Sequence, residues 1–423
     1  MIETQPKKRQ ERALLVGLEK DGTSKWDLAD SLDELRELAS SAGAEVVNTV
    51  TQKLHSPTAP YYIGKGKAEL IKDSFQSQQV TSVIFDNELS PAQGRNLEHL
   101  FNRKVLDRTQ LILDIFAQRA RSREGRLQIE LAQLQYLLPR LTRMWTHLSR
   151  QSGGIGTRGP GETQLEVDRR RVQERIARLE RELESVRKVR STQREGRRRH
   201  QWPVAAVVGY TNAGKSTLLN LLTGADVLAE DRLFATLDPT TRSFTLPNKQ
   251  RMLLTDTVGF LRKLPHQLIE SFKATLEEVT EADLLLHVVD LSHPRVDEHI
   301  EAVNEVTKEL GAFGKQTLLV FNKIDALENR ELVAAYRARF PRSVGISART
   351  GEGVSALVEA LKNEVRSWHL NLRFCIPLSE SALIAEIHRV GRVLEHRYEG
   401  ETCVIVAHVP PQLEQRLAPF ADK

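Results

Sequence analysis

The feature that most constrains this chain is a glycine-rich loop between an apolar run, Val204 to Val208, and a helix-like run that starts at Thr217. A glycine, four residues and Gly-Lys-Ser form the phosphate-binding loop pattern, which requires a strand before it and a helix after it. Successive backbone N–H groups of such a loop converge on a phosphate, and the helix N-terminus adds positive potential. A chance glycine turn is the alternative, but the loop, strand and helix signals agree. The assigned residues are Gly209, Tyr210, Thr211, Asn212, Ala213, Gly214, Lys215 and Ser216.

The chemistry of the phosphate assigns roles within this loop and to a second motif downstream. Lys215 would reach the outer phosphates, and Ser216 would ligate a magnesium ion. The second motif follows an apolar strand, and its Asp256 would hold the magnesium through water while the N–H of Gly259 would sense the terminal phosphate. We therefore expect Mg²⁺ as a cofactor and catalytic contributions from Lys215 and Gly259. The second motif comprises Asp256, Thr257, Val258 and Gly259.

A third motif predicts which base is bound. An Asp carboxylate such as that of Asp325 can accept hydrogen bonds from both N1–H and the 2-amino group of guanine, whereas adenine offers neither donor. A pocket matched in this way should reject adenine by a factor of order 10⁴. After a further apolar strand, Ser347-Ala348 would place a backbone N–H near guanine O6. The predicted base-binding residues are Asn322, Lys323, Ile324, Asp325, Ser347, Ala348 and Arg349.

The segment between the first two motifs must supply a hydroxyl to the magnesium when a third phosphate is present, as switch loops do. Thr236 is the first choice, as a metal ligand and catalytic group beside Ser216, and Thr240 is the runner-up. A plain loop threonine is the alternative. The predicted nucleotide contacts of this segment are Phe234, Ala235, Thr236, Leu237 and Asp238.

Phe260 follows Gly259, at a position where many small switch proteins carry a glutamine that orients the attacking water. A phenyl ring cannot make that hydrogen bond. Intrinsic hydrolysis should therefore be slow, and a partner should stimulate it strongly.

The first 120 residues alternate strand and helix signals, which predicts a small parallel sheet covered by helices. Within this part, Gly64-Lys-Gly-Lys67 sits at a helix N-terminus and could bind an anion. A glycine turn with solvated lysines is the reading we favour. Asp86 follows an apolar strand and invites a catalytic interpretation, but helix capping or a turn is favoured.

Residues 121–200 change to a helical period. Apolar residues from Leu127 to Leu148, with Trp145 among them, step by threes and fours, as do those from Val172 to Val186. Two such seams predict an antiparallel helical hairpin. Between them lies a run with five glycines, Gly153 to Gly161, in which Arg158 offers a phosphate or base contact. For the arginines of the second helix, ion pairs along the helix are the alternative interpretation. The arginine-rich end of that helix and the glycine run nevertheless favour RNA as the partner. The RNA-binding candidates are Arg158, Arg169, Arg170 and Arg171.

The remaining sequence sets broad limits. Residues 369–423 predict a small α/β module without recognisable chemistry. Lys and Arg number 61 against 56 Asp and Glu, so the net charge of +5 permits a nucleic-acid partner without demanding one. Two cysteines, without metal spacing, fit a reducing cytosol. The polar N-terminus lacks a signal-peptide core, and no apolar run is long enough to span a bilayer. A cytoplasmic monomer is expected, with no stable membrane insertion.

Together these motifs resemble the HflX-type GTPases across about residues 10–368. The arm run Gly153 to Arg171, Phe-Ala-Thr-Leu-Asp-Pro from Phe234 and Asp-Thr-Val-Gly-Phe from Asp256 carry the likeness. The resemblance implies an α/β fold, in which a small α/β domain (1–120) and an antiparallel two-helix arm (121–200) precede a Ras-like P-loop GTPase domain (201–368) and a small α/β C-terminal module (369–423). It implies GTP, GDP and Mg²⁺ binding, attachment to the large ribosomal subunit and its RNA, and dissociation of ribosomes stalled under stress.

Two further properties come with the resemblance. Asn212 is similar to a loop asparagine that in some ribosomal GTPases helps to hold K⁺, and ATP binding by the N-terminal part is associated with the family. Two other function classes stay open. A kinase or helicase-like ATPase is disfavoured by Asn322 and Asp325, and a signalling GTPase would use the arm to grip a protein partner.

Overall fold

A computed structural model of the chain describes residues 11–20, 25–141, 164–199, 202–224, 233–234, 236–247, 250–261, 276–367, 372–390, 392–409, 413 and 416–421. By its contacts the chain forms two compact units. The first comprises Met1–Val186, Glu230–Asp238 and Leu261–Thr275, and the second comprises Arg187–Ala229, Pro239–Phe260 and Leu276–Lys423. The segment predicted to carry the switch threonine therefore groups with the first unit.

The first unit is built on a four-stranded parallel sheet, which confirms the predicted α/β alternation. Its strands lie in the order β2-β1-β3-β4. The strands that are covered by helices on both faces have near-continuous apolar sequences, because neither face meets water. The strands are β1 (Glu11–Glu19), β2 (Ala44–Lys53), β3 (Ser82–Phe85) and β4 (Lys104–Asp107). The helices are α1 (Lys25–Ser41), α2 (Lys65–Asp73), α3 (Phe75–Gln78), α4 (Pro91–Phe101) and α5 (Arg108–Arg119).

In this unit the structure differs from the prediction for one helix and adds to the predicted role of Asp86. The sequence pattern predicts one helix over Lys67 to Gln78, but the structure has two. The Ser74 hydroxyl donates to the carbonyl of Ile71 and ends the first of them. Asp86 lies in a bend after β3 and also makes contacts with distant residues that the sequence did not predict. Its buried carboxylate accepts from the Arg108 guanidinium at 3.0 Å and from the Ser31 hydroxyl at 2.8 Å. Arg108 also pairs with Glu34, so Asp86 belongs to a charge cluster in which a buried carboxylate without a partner would be strongly destabilising.

The arm consists of α6 (Arg123–Leu141) and α7 (Gln164–Arg199). Leu127 and Leu131 of α6 pack with Leu179 and Leu183 of α7 in one apolar cluster, as the two seams predict. An ion pair joins Glu130 to Arg175 at 2.7 Å beside this cluster. The glycine run and Arg158, as well as Trp145 and Leu148, lie outside the described residues.

The second unit contains a six-stranded sheet in the order β10-β9-β8-β5-β7-β6, with β6 antiparallel to β7 and the other pairs parallel. The helix numbering continues with α8 to α11 on this sheet. The strands are β5 (Val204–Gly209), β6 (Thr240–Thr245), β7 (Arg251–Asp256), β8 (Leu284–Asp290), β9 (Gln316–Asn322) and β10 (Ser343–Gly345). The helices are α8 (Lys215–Thr223), α9 (Val296–Glu309), α10 (Glu331–Arg339) and α11 (Val354–Ser367).

This order decides where chemistry can occur. The nucleotide motifs all follow strands of the sheet, and the carboxyl ends of parallel strands meet at one edge, where ligands of such sheets bind. The loop after β5, the motif after β7 and the motif after β9 therefore share that edge.

The C-terminal residues form the predicted small α/β module. A three-stranded antiparallel sheet in the order β11-β13-β12 packs with one helix around buried Phe374, Ile387 and Ile405. Its elements are β11 (Leu372–Pro377), α12 (Ser381–Val390), β12 (Arg392–Glu399) and β13 (Thr402–His408). Across all the helices that the structure describes, none combines the length and the apolar character needed to cross a bilayer.

Candidate nucleotide site

The phosphate loop is shaped by two glycines that no other residue could replace. Gly209 has φ +154°, and a Cβ there would lie 2.2 Å from the carbonyl oxygen of Val288. Gly214 has φ +93°, and a Cβ there would lie 2.2 Å from Nδ2 of Asn322. Both positions therefore combine a backbone that favours glycine with a lack of space. The loop ends at Lys215, where α8 begins, so the helix N-terminus faces the concavity made by the loop.

Lys215 is buried and its ammonium group lies inside the loop. Its Nζ donates to the carbonyl of Tyr210 at 2.7 Å and to that of Gly209 at 3.2 Å. Burial lowers the pKa of Lys215 to about 8, and the Asp256 carboxylate limits the fall. An ammonium group is a compact point charge, and Lys215 can turn it from these carbonyls toward an anion in the loop.

Ser216 and Asp256 meet as the magnesium prediction requires. The Ser216 hydroxyl donates to Oδ2 of Asp256 at 2.6 Å, which brings a loop hydroxyl and a carboxylate at the end of β7 together. Hard oxygen groups of this kind suit Mg²⁺, which binds through one or two protein groups while keeping several waters. The residues present therefore fit the expected ion.

Phe260 is joined to the phosphate loop through its backbone, and Gly259 lies close against the same loop. The N–H of Phe260 donates to the Gly209 carbonyl at 3.1 Å, and the N–H of Thr211 donates to the Phe260 carbonyl at 2.9 Å. A Cβ on Gly259 would lie 2.8 Å from Cγ2 of Thr211 and 2.9 Å from Nζ of Lys215. The Phe260 ring is 1% exposed, so it packs in the core and presents no polar group to a water.

Asn322 connects the base-binding motif with the phosphate loop. Its Nδ2 donates to the Ala213 carbonyl at 2.8 Å, and its Oδ1 accepts from the Ala348 N–H at 2.9 Å. The side chain is 2% exposed. Because one buried amide satisfies two backbone groups from different loops, Asn322 fixes the spacing between the phosphate end and the base end of the site.

The neighbouring residues arrange the base pocket. Lys323 has φ +61° and its ammonium pairs with the Asp290 carboxylate at 2.6 Å. Asp325 lies on a short 3₁₀ turn, Ile324–Ala326, and its side chain is exposed, as an acceptor for guanine must be.

The loop after β10 departs in detail from its predicted contact. The Ser347 N–H donates to the Glu352 carbonyl at 2.9 Å, and the Ala348 N–H is taken by Asn322. Both donors therefore have protein partners in this arrangement. A bond from Ala348 to guanine O6 stays a prediction that requires this N–H to be shared, and exposed Arg349 follows it.

Sequence reasoning missed an aromatic stack behind the phosphate loop. The Tyr210 ring stacks on that of His299 in α9, with ring centroids 3.9 Å apart and an interplanar angle of 5°. The ring centroid of His293 lies 4.2 Å from that of His299. The N–H of Arg295 donates to Nδ1 of His293 at 3.1 Å. Three rings separated by up to 89 positions carry no periodic signal, so only the fold reveals them.

A buried histidine beneath the loop was also missed. His287 lies in the middle of β8, opposite Val208 of β5, and is 2% exposed. Burial and then the positive charge of Lys215 lower the pKa of His287 to about 3. The imidazole is therefore neutral at physiological pH.

The switch segment makes contacts that the sequence did not predict. The Phe234 ring is buried and meets Phe116 of α5 edge to face, with centroids 4.5 Å apart, and its φ of +57° is unusual for a bulky residue. Oδ2 of Asp238 accepts from the N–H groups of Arg121 and Ser122 at 2.9 and 2.7 Å. The switch segment thus docks at the α5–α6 corner.

The remaining predicted residues lie either in the docked switch segment or in the second unit. Thr236 is half-buried and Leu237 buried in the docked segment, whereas Thr240 begins β6 opposite Asp256 of β7. Ala235 lies outside the described residues. The structure thus brings together the phosphate loop, Asp256, Gly259 and the base motif within the second unit. Thr257 also contributes there, since its hydroxyl donates to the Val207 carbonyl at 2.7 Å, and Val258 is buried.

The RNA-binding candidates on α7 are exposed, whereas Gly64 and Lys67 of the anion candidate are half-buried. Arg169, Arg170 and Arg171 lie on the outside of α7, and two of them make loose ion pairs along the helix, to Glu174 at 3.8 Å and to Asp168 at 3.9 Å. In the first unit, the Gly64 N–H donates to Oε1 of Gln52 at 2.9 Å. Lys65 lies 3.9 Å from Glu69. The bond of Gly64 and the exposure of Lys65 agree with the favoured interpretation of 64–67 as a glycine turn with solvated lysines, whereas Lys67 is half-buried.

Comparison with family profiles covers both units. The profile described as "50S ribosome-binding GTPase" matches residues 204–323. The profiles described as "GTP-binding GTPase N-terminal" and "GTP-binding GTPase Middle Region" match residues 29–117 and 119–197.

Similar proteins extend over nearly the whole chain. GTPase HflX of Caldanaerobacter subterraneus is 48% identical over 410 residues, which cover 97% of this chain and 94% of that protein. GTPase HflX of Escherichia coli is 50% identical over 387 residues, 90% of each chain. A GTP-binding protein of Sulfolobus solfataricus, solved in complex with GDP, is 26% identical with a TM-score of 0.46 and covers 84% of this chain and 98% of its own.

Proposed function

Since the chain belongs to the HflX family of GTPases, we propose that it is a GTP-driven switch that binds the large ribosomal subunit and dissociates stalled ribosomes. The chain is a GTPase, with the phosphate loop, Asp256 and Asn322 in the profile-matched region. The ribosome as partner rests on the profile's description, "50S ribosome-binding GTPase". Dissociation of stalled ribosomes, stimulation by them and a role under stress are the proposal.

The observation that carries the proposal is the burial of Phe260. A GTPase commonly relies on a polar side chain to orient the attacking water, and the residue after Gly259 has a ring that is 1% exposed in the core. Its backbone is also bonded to Gly209 and Thr211, which holds Phe260 beside the phosphate loop while its ring packs in the core. Hydrolysis by the protein alone is therefore slow, and docking on a partner completes the arrangement of the water.

The remaining groups hold the substrate. Lys215 and the N–H groups of the loop bind the outer phosphates, and Asp325 accepts from the guanine ring. Ser216 and Thr236 would ligate Mg²⁺, and Asp256 would hold it through water, so that the ion offsets charge on the phosphate oxygens. Asn322 keeps the phosphate and base ends in register through its bonds to Ala213 and Ala348. Apart from Thr236, these residues bind GTP and GDP alike, so the presence of the third phosphate must be sensed by Gly259 and by Thr236, the switch threonine.

The arm supplies an RNA-binding surface in this proposal. Arg169, Arg170 and Arg171 form an exposed basic cluster on α7, and ion pairs as long as 3.8 and 3.9 Å on exposed side chains contribute little free energy. Phosphates of ribosomal RNA can therefore replace these partners at low cost, and counterion release favours the exchange.

Sedimentation of the protein with purified large subunits tests the proposal. We expect co-sedimentation in the presence of a non-hydrolysable GTP analogue, weaker binding with GDP, and conversion of intact ribosomes to subunits in sucrose gradients with GTP. A variant with Glu at 169, 170 and 171 should bind less. A matched control carries Glu in place of Arg178, Arg181 and Lys188, which are exposed residues further along the same helix. This control should bind the large subunit better than the first variant.

Two outcomes would overturn the proposal. Equal binding by both charge-reversed variants would show that the basic cluster is not the contact. No co-sedimentation in any nucleotide would remove the ribosome as partner and favour a protein partner for the arm.

A further inference from the structure

Thr211, the third residue of the phosphate loop, carries a buried hydroxyl for which the described part of the structure offers no hydrogen-bond partner. The residue is 6% exposed. A buried polar atom that lacks a partner is destabilising by about 1–3 kcal/mol, so native structures keep such atoms rarely and mainly for a function. Valine has the same shape without the hydroxyl, and the loop could have carried it.

The position of Thr211 connects this hydroxyl with the reacting end of the nucleotide. Its Cα and its Cγ2 lie 2.9 and 2.8 Å from the point where a Cβ of Gly259 would stand, and Nζ of Lys215 lies 2.9 Å from the same point. Gly259 and Lys215 are the groups that contact the terminal phosphate. Thr211 thus adjoins both of them.

The backbone of Thr211 is fixed in this place. Its N–H donates to the carbonyl of Phe260 at 2.9 Å, while the N–H of Phe260 donates to Gly209. These bonds therefore hold Thr211 next to Phe260, the residue that stands in place of the usual glutamine. The threonine methyl now faces Gly259. A χ1 rotation of about 120° to another staggered rotamer brings the hydroxyl to the place of the methyl and moves the methyl to the place of the Cβ hydrogen.

We propose that the Thr211 hydroxyl is a catalytic group that orients the attacking water in the absence of the usual glutamine. A hydroxyl can accept a hydrogen bond from a water and at the same time donate its own proton to a phosphate oxygen. Lys215 can only donate, and the Phe260 ring can do neither. The hydroxyl takes no proton from the water. When the water oxygen bonds to the terminal phosphorus and the bond to the bridging oxygen breaks, the water proton passes to the phosphate.

This inference rests on the GTPase activity and not on the ribosome, so it is tested without ribosomes. Thr211→Val removes the hydroxyl and keeps the shape, and Thr211→Ser keeps the hydroxyl and removes the methyl. Single-turnover hydrolysis at saturating GTP, affinity for GDP and for a non-hydrolysable GTP analogue, and Tm are measured for each variant. Thr307→Val is the matched control, because Thr307 is also buried but its hydroxyl donates to Val303 at 2.6 Å.

The expected result separates rate from binding. Thr211→Val should lower the hydrolysis rate about tenfold or more, with both affinities within about threefold of the wild type. Its Tm should be unchanged or higher, because a hydroxyl without a partner is removed. Thr211→Ser should keep most of the rate, and Thr307→Val should leave the rate unchanged and lower Tm.

Three results would overturn the inference. Thr211→Val could hydrolyse GTP at the wild-type rate, which removes the catalytic role. Its affinity for the GTP analogue could fall as much as its rate, which makes the hydroxyl a binding group. Thr211→Ser could lose as much activity as Thr211→Val, which assigns the effect to the methyl. None of these depends on whether the chain binds ribosomes.

Discussion

The docking of the switch segment on the α5–α6 corner gives a prediction that can be worked out in detail. The carboxylate of Asp238 accepts from the backbone N–H groups of Arg121 and Ser122 and from the Ser122 hydroxyl. Gly125 stands in the first turn of α6, and a Cβ there would lie 2.5 Å from Oδ1 of Asp238. We predict that Gly125→Ala breaks the dock although it removes no group from the protein.

The magnitude follows from the bonds at risk. Hydrogen bonds to a charged group contribute about 1.5–3 kcal/mol, and Asp238 is half-buried, so a loss of about 2 kcal/mol is expected for Asp238→Ala. Gly125→Ala can cost no more than this, because the carboxylate can swing away and give up the same bonds. It also gains up to about 1 kcal/mol of helix propensity.

Local amide hydrogen exchange measures this energy in the full chain. Exchange at Arg121 and Ser122 should speed up in Asp238→Ala and in Gly125→Ala. In the Asp238→Ala background, Gly125→Ala should have no further cost and should slow exchange within α6. Gly94→Ala is the matched control, because Gly94 is also in the first turns of a helix and nothing lies within 4 Å of its added Cβ.

The refuting result is additivity. If Gly125→Ala is as destabilising without the Asp238 carboxylate as with it, the two residues are not coupled. Displacement of the Asp238 carboxylate would then not explain the effect of the added methyl group.

Three other predictions concern the phosphate loop and its surroundings. Affinity for GDP should fall up to about tenfold for each pH unit above 8, because burial lowers the pKa of Lys215 to about 8 and phosphate binding requires the ammonium form. A flat profile in fluorescence titrations from pH 7 to 9.5 contradicts this. The free energy of unfolding should fall by up to about 1.4 kcal/mol per pH unit below 6.5, because the unfolded His287 takes up a proton there and the folded one does so only near pH 3. His287→Leu should lose that part of the acid sensitivity in denaturant titrations at pH 7 and 5, and an unchanged loss would count against the assignment. If Asn212, with φ +60°, helps to hold K⁺, hydrolysis should be faster in K⁺ than in Na⁺ and Asn212→Ala should remove the difference, whereas equal wild-type rates would exclude that role.

Local patterns in the sequence were enough for the fold class and for the motifs of the site. The phosphate loop, Asp256 and Asn322 each follow a strand whose apolar run is legible, and the parallel sheet brings the ends of those strands together. Helix signals were equally local, as at α4, where Ser90 and Gln93 form a capping box before a proline start.

Contacts between distant residues were not predictable in the same way. Asp238 bonds to Ser122 across 116 positions, and nothing in the period of either segment indicates the other. Asp86 was assigned a local role because its partner Arg108 lies 22 positions away. The two bonds of Asn322 add a bracing role to its predicted base contact, since a motif gives the residue type but not what its amide touches.

Single-turnover GTP hydrolysis, measured with and without purified large ribosomal subunits, tests the central claim most directly. The burial of Phe260 predicts a slow rate for the protein alone and a rate that rises with subunit concentration until it saturates. A rate for the isolated protein that is already as fast as the rate with saturating subunits would contradict the account.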